Sequence, residues 1–269
     1  MPIQSINNVQ FNYELLGTKS ALPPIVFIAG YTCDINFWRP VAEYFSVERQ
    51  VLIFDNQGIG KTKDNGKPLS VAEMAANIKA LIQQLGLDKA IVVGFALGGT
   101  ITLQIAHDFP EHCRKIILLS AAMKLSAEAA LIYEELCKLR ESGKLDVYSD
   151  LIYETCFGAD YKVKMDKKTF RENFVPMLEK SQSAADQRRQ IDAFKAFDAS
   201  GWAKEIKVPA VIINPREDQF ATPTEGEALA KAINSGGTEA KNLVIEDSSH
   251  SILIEQLEMV KAIFKEQCG

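Results

Sequence analysis

Short apolar runs, each followed by a stretch with helical spacing, constrain this chain more than any other feature. IVFI within PPIVFIAG (23–30), VLIF within QVLIFD (50–55), AIVVG (90–94) and KIILLSAA (115–122) read as strands buried on both faces. Helical patterns lie between them. FWRPVAEYFS (37–46) suits a short helix with Pro40 in its first turn. Ser70-Val71-Ala72-Glu73 is a capping box, and Val71, Met74, Ala75, Ile78, Leu81, Ile82 and Leu85 follow at helical spacing until Gly86 stops the helix. A third helix runs from about 98 to 109 and ends at Pro110. Such alternation predicts an α/β fold: a mostly parallel central sheet with right-handed crossovers and flanking helices. QFNYELLG (10–17), after the Asn7-Asn8 turn signal, adds a small N-terminal hairpin.

The rhythm stops between 123 and 203, where no buried strand occurs. Candidate helices near 126–142, 146–156, 167–180 and 183–198 make this segment a helical insertion over the edge of the sheet. Alternation resumes with PAVIINP (209–215), a helix near 224–233, LVIE (243–246) and a terminal helix near 251–266. The expected organisation is therefore a core of residues 1–122 and 204–269 with a helical subdomain at 123–203. A chain of 269 residues is long enough for both.

Charge and cysteine content narrow the partners. A net charge of -5 gives no general attraction to nucleic acid or anionic membrane. No apolar stretch approaches the roughly 18 residues of a membrane span, and MPIQSINNVQ lacks the pattern of a secretory signal. Cys33, Cys113, Cys137, Cys156 and Cys268 are odd in number, widely spaced and without C-x-x-C, so reduced thiols and a cytoplasmic setting are expected. No metal-ligating cluster stands out, and no cofactor is expected. GIGKT at 58–62 lacks the G-x-x-x-x-G-K-[ST] spacing of a phosphate loop.

The chemistry centres on KAIVVGFALGGT (89–100). After the strand, Gly94-Phe95-Ala96-Leu97-Gly98 has the form G-x-S-x-G with alanine in place of serine. A tight strand-to-helix turn leaves no room for side chains two positions either side of its centre, which calls for Gly94 and Gly98. The helix that starts there aims N–H groups at the turn and favours negative charge. A hydrolase of this design needs an acid and then a histidine later in the chain. Of the three histidines, His107 lies within the helix after the turn and His112 in the turn below it, positions that suit packing or solvation. His250, in EDSSHSILIE, lies between the last strand and the last helix, at a strand's carboxyl end. VPAVIINPREDQFATP offers Asp218, with Glu217 as the alternative, to orient that imidazole. The loop IAGYTCDINFW supplies Gly30, where the backbone can approach closely. The Tyr31 N–H is expected to pair with the Leu97 N–H as oxyanion donors. Trp38 and the Tyr31 side chain are candidates for the mouth of a pocket, or for the core.

Together these stretches resemble the α/β-hydrolase superfamily over nearly the whole chain. The lid-bearing members that include enol-lactonases, haloperoxidase-like esterases and carboxylic ester hydrolases look most similar. FIAGYTCDINFW resembles their oxyanion loop, with Ala29 for the usual histidine; FDNQGIGKT resembles their D-x-R-G-x-G-x-S loop, with Gln57 and Thr62 substituted. VPAVIINPREDQFATP resembles their acid segment, EDSSHSILIEQ their histidine loop, and 123–203 their helical lid. The resemblance implies a serine esterase with Ala96 at the nucleophile position. Relatives using aspartate there usually continue with tryptophan, whereas this chain continues with Leu97. Two accounts of the alanine follow. Either a serine has been replaced, leaving a nearly inactive hydrolase, or the chain is a naturally non-catalytic small-ligand receptor or scaffold.

An ester or acyl substrate with an apolar portion is the expected partner. Met123, Tyr133, Phe157 and Phe194, with Tyr161, Phe170, Phe174, Met177 and Phe197, are candidates to line its pocket or to pack the insertion onto the sheet. An acyl-carrier protein would want a basic face. Residues 122–200 hold 13 Lys and Arg against 14 Asp and Glu, so only the local group Lys162, Lys164, Lys167, Lys168 and Arg171 speaks for it, and a solvated helix face is the simpler reading.

Overall fold

The computed structural model describes residues 3–269. Eight strands form one sheet: β1 (Ile3–Ile6), β2 (Val9–Leu16), β3 (Ile25–Ile28), β4 (Val51–Phe54), β5 (Ala90–Phe95), β6 (Cys113–Leu119), β7 (Ala210–Pro215) and β8 (Ala240–Ile245). Their spatial order is β1-β2-β4-β3-β5-β6-β7-β8. The pairs β1–β2 and β2–β4 are antiparallel and every other pair is parallel. The crossovers carry α1 (Arg39–Ser46), α2 (Val71–Gln84), α3 (Leu97–Asp108) and α9 (Pro223–Ser235). Five helices fill the interval between β6 and β7: α4 (Ala127–Glu141), α5 (Leu145–Cys156), α6 (Ala159–Lys164), α7 (Lys167–Ser181) and α8 (Ala184–Ala196). The chain closes with α10 (Ile252–Glu255) and α11 (Leu257–Cys268).

The apolar runs are continuous because both faces of the sheet are covered. Val26, Ile28, Val92, Ile116 and Leu118 join the core shared with α2, α3 and the five-helix segment. Their neighbours Ile25, Phe27, Ile91, Val93, Ile117 and Leu119 join the opposite core, shared with α1 and α11. Alternate side chains thus enter opposite cores, as the pleat requires. Burial of each contributes roughly 1.5–3 kcal/mol.

Helix ends follow their capping chemistry. The Ser70 hydroxyl accepts the Glu73 N–H at 3.1 Å, and Gly86 takes φ +67. Two expectations need correction. The terminal helix near 251–266 is two helices, because Gln256 takes φ -131 and breaks it, with no glycine or proline to announce the break. The six-residue α6 falls where no helix was expected, being too short to show periodicity. The five-helix segment departs and returns at one place. Lys124 and Asp198 form an isolated antiparallel bridge, the Ala199 N–H donates to Met123 O at 2.9 Å, and Lys124 Nζ lies 3.2 Å from Asp198 Oδ2.

Close approach of α3 to the sheet depends on glycine. A Cβ at Gly98 would overlap Ile28 O and come within 2.7 Å of Ala29 O; one at Gly94 would overlap Gly98 O and Thr102 Oγ1. Gly98→Ala is therefore expected to lower the unfolding free energy by about 1–3 kcal/mol. Urea denaturation checks this, and an unchanged midpoint would mean that α3 can retreat from β3.

Candidate active site

The turn between β5 and α3 is strained at its centre. Ala96 takes φ 48 and ψ -113, a region alanine rarely enters. Hydrogen bonds hold it there from both sides. Its N–H donates to Leu119 O at 3.0 Å, and its carbonyl accepts the Gly99 N–H at 2.8 Å. Ala96 is 2% exposed, and what it exposes lines a cavity of about 270 Å³ beneath the five-helix segment.

His250 lines the same cavity. Its Nδ1 lies 3.0 Å from both Asp218 oxygens, and its ring packs between Phe95 (5.1 Å) and Phe220 (4.7 Å). Asp218 is itself fixed, since Oδ1 accepts N–H groups from Phe220 at 2.8 Å and Ala221 at 3.1 Å. With Nδ1 protonated toward the carboxylate, Nε2 keeps its lone pair. Glu217 faces elsewhere and accepts the Ala159 N–H at 3.3 Å. His107 packs on Trp202 at 4.4 Å and His112 contacts Asp88 at 2.8 Å; neither lines the cavity.

Two backbone donors stand unpaired beside Ala96. The Leu97 N–H opens α3, and the Tyr31 N–H belongs to the loop after β3; neither meets an acceptor among the described residues. Gly30 lies flat against Phe95, where a Cβ would come within 2.7 Å of the ring. Asn56 Nδ2 donates to Ala29 O at 2.7 Å, and the buried Asp55 accepts N–H groups from Ile35 at 2.7 Å and Lys61 at 2.8 Å. These contacts tie the loop after β4 to the one after β3. The Tyr31 hydroxyl meets the Tyr148 hydroxyl at 3.2 Å and the Gln187 amide, anchoring the same loop to α5 and α8.

Of the expected pocket residues, Tyr31, Tyr133, Phe157, Phe170, Phe174 and Met177 line the cavity, and Tyr161 and Phe197 do not. Trp38 does not. It is 1% exposed and stacked on Phe27 at 4.7 Å in the opposite core, because α1 presents that position to the sheet. Met123 packs at the start of the five-helix segment, away from the cavity, because its backbone is held by Ala199. Phe194 lies behind Tyr133, with ring centroids 5.5 Å apart, and borders only a small adjoining space. Phe95, Phe220, Cys33 and Cys156 line the cavity and were not singled out as pocket residues; Phe95 ends β5 and Phe220 stands two residues after Asp218 in the loop beyond β7, which was the available signal.

Burial pushes the Cys156 thiol up to about 12 and raises the Cys33 thiol as well, so neither is a thiolate near neutral pH. Iodoacetamide at near-neutral pH is expected to label both at least about tenfold more slowly than free cysteine, read by peptide mass spectrometry. Labelling of either at the free rate would contradict this.

On the outer surface Lys162 and Lys167 pair with Glu154, Lys168 with Glu172, and Arg171 with Asp150 and Asp146. Of the basic group, Lys164 alone forms no ion pair among the described residues. No helix among the described residues is long and apolar enough to cross a membrane.

A sequence profile of the family described as alpha/beta hydrolase fold matches residues 23–136. Among curated proteins, one from Escherichia coli O127:H6 named "Putative carbamate hydrolase RutD" is 23% identical over 242 residues, covering 90% of this chain and 89% of its own. Among solved structures, the enol-lactonase from Burkholderia xenovorans LB400 superimposes with a TM-score of 0.86 at 22% identity, covering 98% of both chains. A malate-bound thermophilic esterase from Thermogutta terrifontis gives 0.83 at 18% identity, covering 99% of this chain and 98% of its own.

Proposed function

We propose that this chain, whose residues 23–136 match the profile described as alpha/beta hydrolase fold, is built to hydrolyse a carboxylic ester, thioester or lactone through an acyl-enzyme, with Ala96 standing where a serine would act. One observation carries the reading. The strained residue 96 shares a single cavity with an imidazole whose Nδ1 lies 3.0 Å from both oxygens of a buried carboxylate.

With serine at 96, His250 Nε2 takes the hydroxyl proton as Oγ attacks the acyl carbon. Asp218 holds the tautomer and stabilises the imidazolium. The Tyr31 and Leu97 N–H groups stabilise the oxyanion. His250 then protonates the leaving group and activates water for deacylation. The helices of 123–203 act as a lid over this cavity, excluding water from the acyl group.

The cavity wall supports an uncharged acyl group. Aromatic side chains dominate it; among the described residues no lysine or arginine lines it, and apart from His250 the one carboxylate that does is Asp34. The names of the similar proteins, a carbamate hydrolase, an enol-lactonase and an esterase, support hydrolysis at an acyl carbon. Ala96 itself favours a second reading, a receptor that holds such ligands without cleaving them. Labelling of the Ala96→Ser protein by a fluorophosphonate separates the two: covalent adduct at residue 96 supports the hydrolase, and no adduct supports the receptor.

A further inference from the structure

Glu255 lies in the one-turn α10, five residues after His250, and takes no part in the chemistry above. Its two oxygens reach two different parts of the molecule. Oε2 accepts the N–H of Ser249, the residue preceding His250, at 2.9 Å. Oε1 accepts the N–H of Gly158, the residue following the cavity-lining Phe157, at 3.0 Å. Neither N–H has another acceptor among the described residues, so neither bond is duplicated there. A backbone contact runs in parallel, with the Ser251 N–H donating to Cys156 O at 2.8 Å.

The arrangement is costly by itself. Burial raises the Glu255 carboxyl above its usual range, and the charges of Glu217 and Asp218 raise it further, while the Ser249 and Gly158 N–H groups pull it back. A half-buried carboxylate near two others is an expensive way to make a turn unless both of its bonds matter. Gly158 is shaped to admit it, since a Cβ there would stand 3.0 Å from Glu217 Oε2 and 3.3 Å from Glu255 Oε2. The unannounced break at Gln256 ends α10 directly after Glu255, so the helix stops where this side chain is needed.

We propose that Glu255 is a positioning residue: its carboxylate clamps the loop carrying His250 to the cavity wall at Phe157–Gly158, so that imidazole and acyl pocket keep one register. The role rests on the reading of His250 as the general base. Glu255→Gln tests it with little change of shape, because an amide offers one oxygen to two N–H donors and turns an NH₂ group against the other. Gly158→Ala crowds the same carboxylate without removing it.

The first arm uses the alanine protein as it stands and follows the His250 Nδ1 proton by NMR, assigned by its absence in His250→Ala. Both variants are expected to fold cooperatively and to lose or broaden that signal through faster exchange with water. The second arm uses the Ala96→Ser background, where Glu255→Gln is expected to lower kcat at least about tenfold while KM changes less than about threefold. A merely structural role would reduce the active fraction or the thermal midpoint without this split. An unchanged His250 signal in both folded variants overturns the proposal. If Ala96→Ser fails to hydrolyse any ester, the hydrolase reading fails by itself, and the NMR arm still decides whether Glu255 positions the imidazole.

Discussion

Ala96→Ser is expected to raise hydrolysis of short p-nitrophenyl esters by on the order of 10⁶-fold over the alanine protein. The gain belongs in kcat, because in the proposed mechanism the added hydroxyl oxygen is the atom that attacks. The cavity of about 270 Å³, the paired imidazole and the two unpaired N–H donors are already in place. No new backbone strain is needed, since Ala96 already sits at φ 48 and ψ -113. What residual rate the alanine protein has would come from the oxyanion donors and from binding alone. Matched assays of both proteins on acetyl, butyryl and benzoyl esters measure the ratio. A ratio below about tenfold on all of them would sink the catalytic reading.

Asp218→Asn in that serine background is expected to lower kcat by about 10⁴-fold with little loss of stability. The asparagine oxygen can still accept from Phe220 and Ala221 N–H, the bonds that fix the loop after β7. Its NH₂ group, however, would face His250 Nδ1 as a donor. That favours the tautomer with the proton on Nε2, which cannot accept from serine. Burial sharpens the effect: His250 is only 6% exposed, so water cannot substitute for the lost carboxylate. A kcat within about tenfold of the parent would show that Asp218 is dispensable for orienting the base.

The parallel sheet was legible because strands covered on both faces must be continuously apolar, and IVFI, VLIF and IILL are. The elbow was legible because Gly94 and Gly98 are steric necessities, visible here as overlaps with backbone oxygens. Strand order pointed to His250 and to either Asp218 or Glu217, and only the side-chain geometry pairs His250 with Asp218. Side-chain direction was not legible in the same way. Trp38 and Tyr31 are near neighbours in one loop, yet one enters the core beside Phe264 and the other lines the cavity. Helix phase at the first turn of α1 decides between them, and an aromatic residue is equally at home in either place. Glu255 was invisible for a different reason. Its partners Ser249 and Gly158 are backbone donors, and backbone partners leave no mark on residue type.

The strain at residue 96 has an implication beyond the identity of any one side chain. Leu119 O on one side and the first turn of α3 on the other impose it, and neither involves the side chain. The turn is therefore an interchangeable socket. Whatever small group is fitted there is presented at the same spot, facing the same imidazole. On the proposed reading, the sheet fixes where the reaction would happen, and one codon would decide between acyl transfer, another nucleophilic displacement and mere retention of the ligand.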